Sequence, residues 1–401
     1  MRSSPPPHLF PQFRRGFVTL TASAVAALAV ATPAVAKDDK PKTPPAQMSS
    51  VGGAALAKPG PQAGAGAPAL PKDLSALSWI VSDADSGDVL AASNAHWPLP
   101  PASTLKMLFA DTVLPSVPHG LSHKVTDAEL RGMGAGSSAV GIVPGQQYKT
   151  DDLWRGVFLR SGNDAVHVLA AMNGGVDKTV ADMQKRADAL GAKDTHVRSP
   201  DGYDAPGQVS SAYDLTLFLR EGLKNADFKE FCSTAEAKFP GGPSTKGKPF
   251  AISNTNRMLS GIGGVDKYPG LIGGKNGYTS HAGNTLSEAA TRDGRTLLVT
   301  VMNPQEKKHD EVYVEMRKLL DWGFQAAGRT KPIGSLDQKS PVAGTASPSA
   351  KAAAGAKAAG EASSDGSMGA LGWTGIGAAV VVAGGAAVIV LKRRRAGEGA
   401  E

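Results

Sequence analysis

The segment PASTLKMLFADTVL, residues 101–114, joins the predicted start of a helix to two reactive side chains. Pro101 suits the first turn of a helix, and apolar residues follow at helical spacing, at Leu105, Leu108, Phe109 and Val113. Ser103 and Lys106 are three positions apart, so on a helix the lysine amine can reach the serine hydroxyl. A lysine with a lowered pKa can act as the base that a serine nucleophile needs. Taken alone, the pair also fits a capping serine and a surface lysine.

A second polar triplet, Ser161-Gly162-Asn163, separates two predicted helices. The first helix begins at Thr150, and the second runs from Asp164 to about Met172. A loop in this position can direct the Ser161 hydroxyl and the Asn163 amide into a cleft. There the hydroxyl could relay a proton, and the amide could hold the lysine or the substrate backbone. Taken alone, the triplet also fits a turn in which Asn163 caps the next helix.

A third triplet, Lys275-Asn276-Gly277, follows two glycines and precedes Tyr278. On a strand, Lys275 could bind a substrate carboxylate and supply a second positive charge. Gly277 would let the substrate backbone approach closely. An Asn-Gly hairpin turn with a solvated lysine is the alternative for this triplet in isolation.

The three triplets in this order resemble the Ser-x-x-Lys, Ser-x-Asn and Lys-Thr-Gly set of penicillin-binding proteins and class A β-lactamases. The chain is more similar to the low-molecular-mass penicillin-binding proteins, the serine D-alanyl-D-alanine carboxypeptidases. This resemblance covers about 75–305 and includes the stretches around the motifs, at 159–165, 201–214 and 274–284. It implies an α+β fold, a penicillin-binding protein/β-lactamase-like transpeptidase domain with an antiparallel sheet flanked by helices and a helical subdomain.

The resemblance also implies roles for the motif residues. Ser103 would attack the carbonyl between two D-alanines of a peptidoglycan stem peptide, and Lys106 would take its proton. Ser161 and Asn163 would relay that proton to the leaving D-alanine, and Lys275 would bind the terminal carboxylate. β-Lactams would acylate the same serine as covalent inhibitors. Neither a cofactor nor a metal is implied.

The third motif contributes two further implications and one departure from the family. The backbone N–H groups of Ser103 and Tyr278 would form the oxyanion hole, and Gly277 would line the strand that binds substrate. Asn276 stands where the family usually has threonine, whose hydroxyl helps to bind the carboxylate. Since an asparagine amide can also donate to a carboxylate, we expect activity to persist, with substrate preference open.

Two other functions remain open from the sequence. A β-lactamase would need a glutamate placed to activate water for deacylation, and the stretch between the second and third motifs offers Glu221, Glu230 and Glu236 without a recognisable pattern. A catalytically silent wall-binding or scaffold protein is the other alternative, in which Asn276 would mark lost activity.

The two ends of the chain predict export and membrane attachment. Residues 1–36 have the basic, apolar and Ala-x-Ala regions of a signal peptide. Residues 370–391 are apolar and long enough to cross a bilayer. The basic residues at the start of 392–401 predict a cytoplasmic tail, which places the catalytic domain outside a cell membrane that the chain crosses once.

Composition predicts one folded domain, 74–330, between two disordered linkers, 37–73 and 331–369, because the linkers have few large apolar residues. Much of the net charge of +7 lies at the ends, so no basic stripe predicts nucleic-acid binding. His119 and His123 lack a zinc-site pattern, and the single cysteine, Cys232, predicts a buried side chain without a disulfide. With one folded domain and one membrane helix, we expect a tethered monomer.

Overall fold

The computed structural model describes residues 43–337, apart from 307 and 309. The predicted signal peptide 1–36, the membrane helix 370–391 and the basic tail 392–401 lie outside the described residues. Within the described part of the chain, no helix is both long enough and apolar enough to span a bilayer.

A seven-stranded antiparallel sheet organises the domain. Its order is β1-β3-β2-β10-β9-β8, and the short β11 also pairs with β3. Two small hairpins, β4–β5 and β6–β7, lie apart from it. The strands are β1 Pro61–Ala63, β2 Ala76–Asp83, β3 Asp88–Ser93, β4 Ser122–Lys124, β5 Gln147–Lys149, β6 Glu236–Phe239, β7 Phe250–Ser253, β8 Leu271–Thr279, β9 Gly283–Arg292, β10 Arg295–Pro304 and β11 Gly334–Ser335.

Helices cover both faces of this sheet. The helix α8 packs on one face against β2, β9 and β10, whereas α5 packs on the other, and α1 packs on α5. The remaining longer helices form the helical subdomain beside α1. The helices are α1 Lys106–Val113, α2 Thr150–Leu159, α3 Asn163–Met172, α4 Val176–Ala189, α5 Ala212–Gly222, α6 Ala226–Ser233, α7 Arg257–Ser260 and α8 Glu311–Ala326.

The predicted α+β architecture is confirmed, and the motif-bearing segments adopt the expected elements. A 3-10 turn, Ala102–Leu105, carries Ser103 directly into α1, so the helix predicted from residue 103 begins as a tighter turn. The Asn-Gly pair at 276–277 lies inside β8, which excludes the hairpin-turn alternative for the third triplet.

The prediction of a disordered linker at 37–73 is wrong for its described part, 43–73. Strand β1 pairs with β3, Leu56 is 1% exposed, and the His96 Nε2–H donates to the Val51 carbonyl at 2.9 Å. Composition misled because this segment gains its stability from backbone pairing at a sheet edge and from one buried leucine, which requires few large apolar residues.

The predicted linker at 331–369 is wrong at its start for the same reason. Strand β11 pairs with β3, the Ser335 N–H donates to the Gly52 carbonyl at 2.7 Å, and Leu336 is buried. The N-terminal and C-terminal ends of the described chain therefore meet at the β3 side of the sheet.

Replacement of Leu56 by alanine tests whether the N-terminal segment belongs to the fold. Because the leucine is buried, we expect the free energy of unfolding to fall by about 2–4 kcal/mol, as for other buried leucines. The exposed Lys58→Ala change should shift it by less than about 0.5 kcal/mol. Denaturant titration of the domain measures both, and equal stability of the two variants would contradict the packed segment.

Candidate active site

A fully buried ammonium-bearing side chain, Lys106, forms the centre of the site. Its Nζ lies 2.8 Å from Ser103 Oγ, 2.8 Å from Asn163 Oδ1 and 2.5 Å from the carbonyl oxygen of Asp201. The 3-10 turn before α1 sets the first contact, the start of α3 sets the second, and the loop before α5 sets the third. Three separate segments thus converge on one amine.

These contacts determine how a neutral Lys106 is oriented. Asn163 Oδ1 and the Asp201 carbonyl can only accept hydrogen bonds, so they take the two N–H groups of a neutral amine. The lone pair then faces Ser103 Oγ, whose hydroxyl can donate. Burial lowers the pKa of Lys106 to about 8, although the negative charges of Asp201 and Asp164 oppose this shift. With this pKa, roughly a tenth of the amine is neutral at pH 7.

The second triplet contributes two side chains in different ways. Asn163 bridges the site, since its Oδ1 accepts from Lys106 and its Nδ2 donates to Ser137 Oγ at 3.0 Å. Ser161 is 7% exposed and has a left-handed backbone (φ 56°), and its Oγ has no hydrogen-bond partner among the described residues. The structure therefore shows Asn163 in contact with Lys106 and leaves the Ser161 hydroxyl unengaged.

The third triplet places a second buried lysine on β8, the edge strand of the sheet. Lys275 Nζ donates to the Asn276 carbonyl at 2.8 Å and approaches Asn276 Oδ1 at 3.4 Å. Burial and the nearby positive charge of Lys106 lower the pKa of Lys275 well below its usual value, while Glu288 opposes them. Asn276 Oδ1 also accepts from Thr255 Oγ1 at 3.1 Å.

Two glycines allow the backbone of three segments to meet at Ser103. A Cβ on Gly277 would lie 2.7 Å from Ser103 N and 3.0 Å from the Ala102 Cβ. A Cβ on Gly202 would lie 2.0 Å from the Ala102 carbonyl oxygen. Strand β8 therefore passes close to the backbone N–H of Ser103, beside the predicted oxyanion donor at Tyr278, whose side chain is 70% exposed.

A cleft of about 230 Å³ opens in front of Ser103. Asn163 and Tyr278 line it, and Tyr203 closes one side by donating its hydroxyl to the Ala135 carbonyl at 2.8 Å. A larger cavity of about 510 Å³ lies beyond the shared loop 202–204, and none of the eight predicted site residues lines it. The cleft at Ser103 is thus where the predicted chemistry can meet a ligand.

Sequence reasoning gave no role to Asp201, whose backbone carbonyl holds Lys106. Its carboxylate is 2% exposed and accepts from Ser199 Oγ and the Tyr203 N–H, and it lies 3.5 Å from His167 Nε2. Although burial opposes the shift, these contacts and the charge of Lys106 lower the pKa of Asp201 to about 2. The only sequence signal was the resemblance of 201–208 to a family loop, because a backbone acceptor has no residue signature.

Comparison with known proteins identifies the family of the chain. Residues 64–306 match the family model described as Peptidase S11, D-alanyl-D-alanine carboxypeptidase. The chain belongs to this family. It is accordingly a serine peptidase of the D-Ala-D-Ala carboxypeptidase class, as the motifs predicted.

Individual relatives show the same likeness. A D-alanyl-D-alanine carboxypeptidase of Mycobacterium tuberculosis is 39% identical over 264 residues, which cover 65% of this chain and 86% of that protein. A Bacillus subtilis D-alanyl-D-alanine carboxypeptidase is 30% identical over 267 residues, covering 66% of this chain and 65% of that protein. The chain thus spans somewhat less than two thirds of the length of the Bacillus relative.

Solved structures support the predicted fold. The crystal structure of a D-alanyl-D-alanine carboxypeptidase from Mycobacterium tuberculosis has a TM-score of 0.61 and 35% identity, covering 68% of this chain and 99% of that one. The Streptomyces K15 DD-transpeptidase has a TM-score of 0.58 and 25% identity, covering 64% of this chain and 100% of that one. The penicillin-binding-protein-like fold is therefore confirmed.

Other candidate residues from the sequence have ordinary surroundings. His123 Nε2 lies 2.7 Å from Glu129 Oε1, whereas His119 lies 3.6 Å from Asp151, so the two histidines face different carboxylates. Cys232 is buried, and burial raises the pKa of its thiol. Neither observation adds a residue to the cleft.

The protonation of Lys106 predicts a pH dependence for acylation of Ser103. Only the neutral lysine can take the serine proton, so the rate of labelling by fluorescent penicillin should rise with pH up to about 8, the pKa of Lys106. Below that pH, each unit should change the rate about tenfold.

Lys106→Arg should reduce this labelling more than about 100-fold, because arginine stays protonated. The exposed Lys178→Arg change is the matched control and should label like the wild type. A labelling rate that is flat from pH 6 to 8 would show that Lys106 is not the base.

Proposed function

We propose that this enzyme removes the terminal D-alanine from peptidoglycan stem peptides through an acyl-enzyme on Ser103. The observation that carries the proposal is the 2.8 Å contact between Ser103 Oγ and the buried Lys106 Nζ. As Ser103 Oγ bonds to the carbonyl carbon between the two D-alanines, its proton passes to Lys106. The two fixed acceptors on the amine keep the lone pair directed at the serine during this step.

The positive charge of the buried Lys275 binds the substrate. Lys275 Nζ donates one N–H to the carbonyl of the next residue, Asn276. Its other N–H groups can donate to the terminal carboxylate of the peptide. The backbone N–H groups of Ser103 and Tyr278 form the oxyanion hole. Each such donor commonly stabilises the transition state by about 3 kcal/mol. The absence of a Cβ at Gly277 lets strand β8 pass close to the Ser103 N–H.

Proton return completes the acylation step. The C–N bond breaks, and the departing D-alanine nitrogen takes the proton from Lys106 through the Ser161 hydroxyl, which has no competing partner among the described residues. Water then attacks the ester and releases the shortened peptide, and Ser103 regains its proton. β-Lactams acylate Ser103 in the same way, and they inhibit the enzyme because their acyl group stays bound to the serine.

The structure gives no support to a β-lactamase. In the described chain, the only acidic residue that lines the cleft with Ser103 is Asp204, which accepts from Thr279 Oγ1 at 2.7 Å. Glu221 pairs with Arg186, and Glu230 lies 3.9 Å from Arg155, both away from the cleft. A silent scaffold function fits equally poorly, since scaffolding does not require two buried lysines.

Mass spectrometry of the domain with a β-lactam tests the mechanism. We expect one adduct that maps to Ser103 and is absent in Ser103→Ala, while the exposed Ser244→Ala control is labelled normally. The wild type should also release D-alanine from a peptide that ends in D-Ala-D-Ala, with at least about a 1000-fold loss in Ser103→Ala. An adduct at another residue, or rapid repeated penicillin turnover, would overturn this assignment.

The same proposal includes a location. The enzyme is exported by residues 1–36 and held in the cell membrane by residues 370–391, as a monomer with its catalytic domain outside. One observation supports the attachment: the described chain ends beside β3, whereas the cleft lies at β8, the opposite end of the sheet order. The 32 residues 338–369 can span at most about 110 Å.

Truncation tests the attachment. A chain that ends at residue 368 should appear in the medium or periplasm with its penicillin labelling intact, whereas the full chain should sediment with membranes. Light scattering of the truncated protein should give the mass of one chain. Sedimentation of both forms with membranes would contradict the C-terminal anchor.

A further inference from the structure

A carboxylate that the proposed mechanism does not use, that of Asp204, contacts the end of strand β8. Asp204 lines the cleft in front of the nucleophile, and its side chain is 15% exposed. Its Oδ1 accepts a hydrogen bond from Thr279 Oγ1 at 2.7 Å. Its Oδ2 accepts longer ones, from the His281 N–H at 3.3 Å and from Ser280 Oγ at 3.4 Å. One side chain thus contacts three consecutive residues, 279–281.

The end of β8 needs such a contact because β8 is the edge strand of the sheet. It pairs with β9 up to Thr279 and Gly283, and among the described residues no strand pairs with its other side. A turn of three residues, 280–282, joins the two strands. Thr279 Oγ1 accepts from the Ala282 N–H at 3.0 Å while it donates to Asp204. The Thr279 hydroxyl therefore connects both the strand end and the turn to Asp204.

The loop that carries Asp204 is held by contacts of its own. The Asp201 carboxylate, at the start of the loop, accepts from Ser199 Oγ and from the Tyr203 N–H. Gln208 Nε2 donates to the Tyr203 carbonyl at 2.6 Å, and Gln208 Oε1 accepts from the Ser199 N–H at 2.8 Å. The loop is therefore fixed without the Asp204 side chain, and it can support the strand end that Asp204 contacts.

We infer that Asp204 is a positioning residue, which holds the end of β8 so that the Tyr278 N–H stays in place for the developing oxyanion. This inference rests on the proposed function and assigns a residue to its oxyanion hole. At the start of the loop, the Asp201 carbonyl accepts from Lys106 Nζ at 2.5 Å. Three positions later, the Asp204 carboxylate holds the residue that follows Tyr278. One loop thus sets the base and an oxyanion donor relative to each other.

The position of Tyr278 makes its N–H sensitive to this contact. Tyr278 is the last residue but one of β8, and strand ends open more easily than strand centres. Its side chain is 70% exposed, so side-chain packing does little to hold it. A misplacement of about 1 Å at a reacting group can cost about 100-fold in rate. Because loss of the Asp204 carboxylate shifts the donor without removing it, we expect less than the roughly 100- to 1000-fold loss for a deleted oxyanion donor.

Asp204→Ala tests this role, and Thr279→Val is a second variant that removes the donor and keeps the shape of the side chain. In each, the rate of labelling by fluorescent penicillin and kcat/KM for a peptide ending in D-Ala-D-Ala should fall about 10- to 100-fold. The double variant should lose at most about threefold more than the weaker-acting enzyme of the two, because both changes remove the same hydrogen bond.

A pair of substrates identifies the oxyanion hole as the affected part of the site. The pair is an acyl-D-alanyl ester and its thionoester, in which sulfur replaces the carbonyl oxygen. Sulfur is a weak hydrogen-bond acceptor, so the thionoester gains little from the oxyanion donors. Wild type should therefore prefer the ester, and Asp204→Ala and Thr279→Val should each reduce this preference about tenfold. The rise of labelling with pH should still end at about 8, because Asp201 and Asp164 are the carboxylates that act on Lys106.

Asp151→Ala is the matched control. Asp151 is also partly buried and accepts from a backbone N–H, that of Gly120, at 2.7 Å, but it does not line the cleft. This change should leave the labelling rate, kcat/KM and the preference for the ester unchanged. A loss in the control equal to that in Asp204→Ala would contradict a specific role for Asp204.

The outcomes distinguish this inference from the proposed function. A folded Asp204→Ala that prefers the ester as strongly as the wild type would overturn the positioning role, even if its rate has fallen. Failure of the wild type to release D-alanine would instead overturn the proposed function. If Asp204→Ala does not fold, Thr279→Val decides alone, and an unchanged preference for the ester in that variant also overturns the inference.

Discussion

The burial of one amine, Lys106 Nζ, is the interaction on which the site depends. Burying an ammonium without compensation costs several kcal/mol, and here a turn, a helix start and a loop each provide one acceptor. The same three contacts fix the relative positions of the sheet-side and helical parts of the domain. The contacts that compensate for burial therefore also set the catalytic geometry. A neutral Lys106 donates its two N–H groups to Asn163 and to the Asp201 carbonyl, and its lone pair then faces Ser103.

A second constraint follows from burying two lysines near each other. Burial lowers the pKa of both lysines, and the charge of Lys106 lowers that of Lys275 further, yet the proposed chemistry needs Lys106 neutral and Lys275 positive. Asp201 and Asp164 favour the charged form of Lys106 and limit the fall of its pKa to about 8, so burial is what makes a neutral Lys106 accessible. Because both carboxylates are buried, solvent screening does little to weaken their effect.

The sequence predicted those parts of the molecule that depend on local spacing. The i, i+3 relation of Ser103 and Lys106 and the strand around Lys275 needed only neighbouring residues, and both are present. Contacts between distant segments could not be predicted in this way. The Asp201 carbonyl is a backbone group without a residue signature, and the segment around Leu56 has a linker-like composition. Its order comes from pairing with β3, which the composition of the segment does not encode.

Asn276 shows how the site can tolerate a departure from the family motif. Its Oδ1 accepts a hydrogen bond from the Thr255 hydroxyl and a longer one from Lys275 Nζ. These two contacts fix the orientation of the amide. Among the described residues, its Nδ2 donates to none, and an amide nitrogen is a donor only. The group left for a ligand is thus a hydrogen-bond donor, as the threonine hydroxyl is in the usual motif. Substitution by asparagine preserves the sign of the interaction with a carboxylate and extends its reach, which shifts the expected effect from catalysis to the shape of the acceptable substrate.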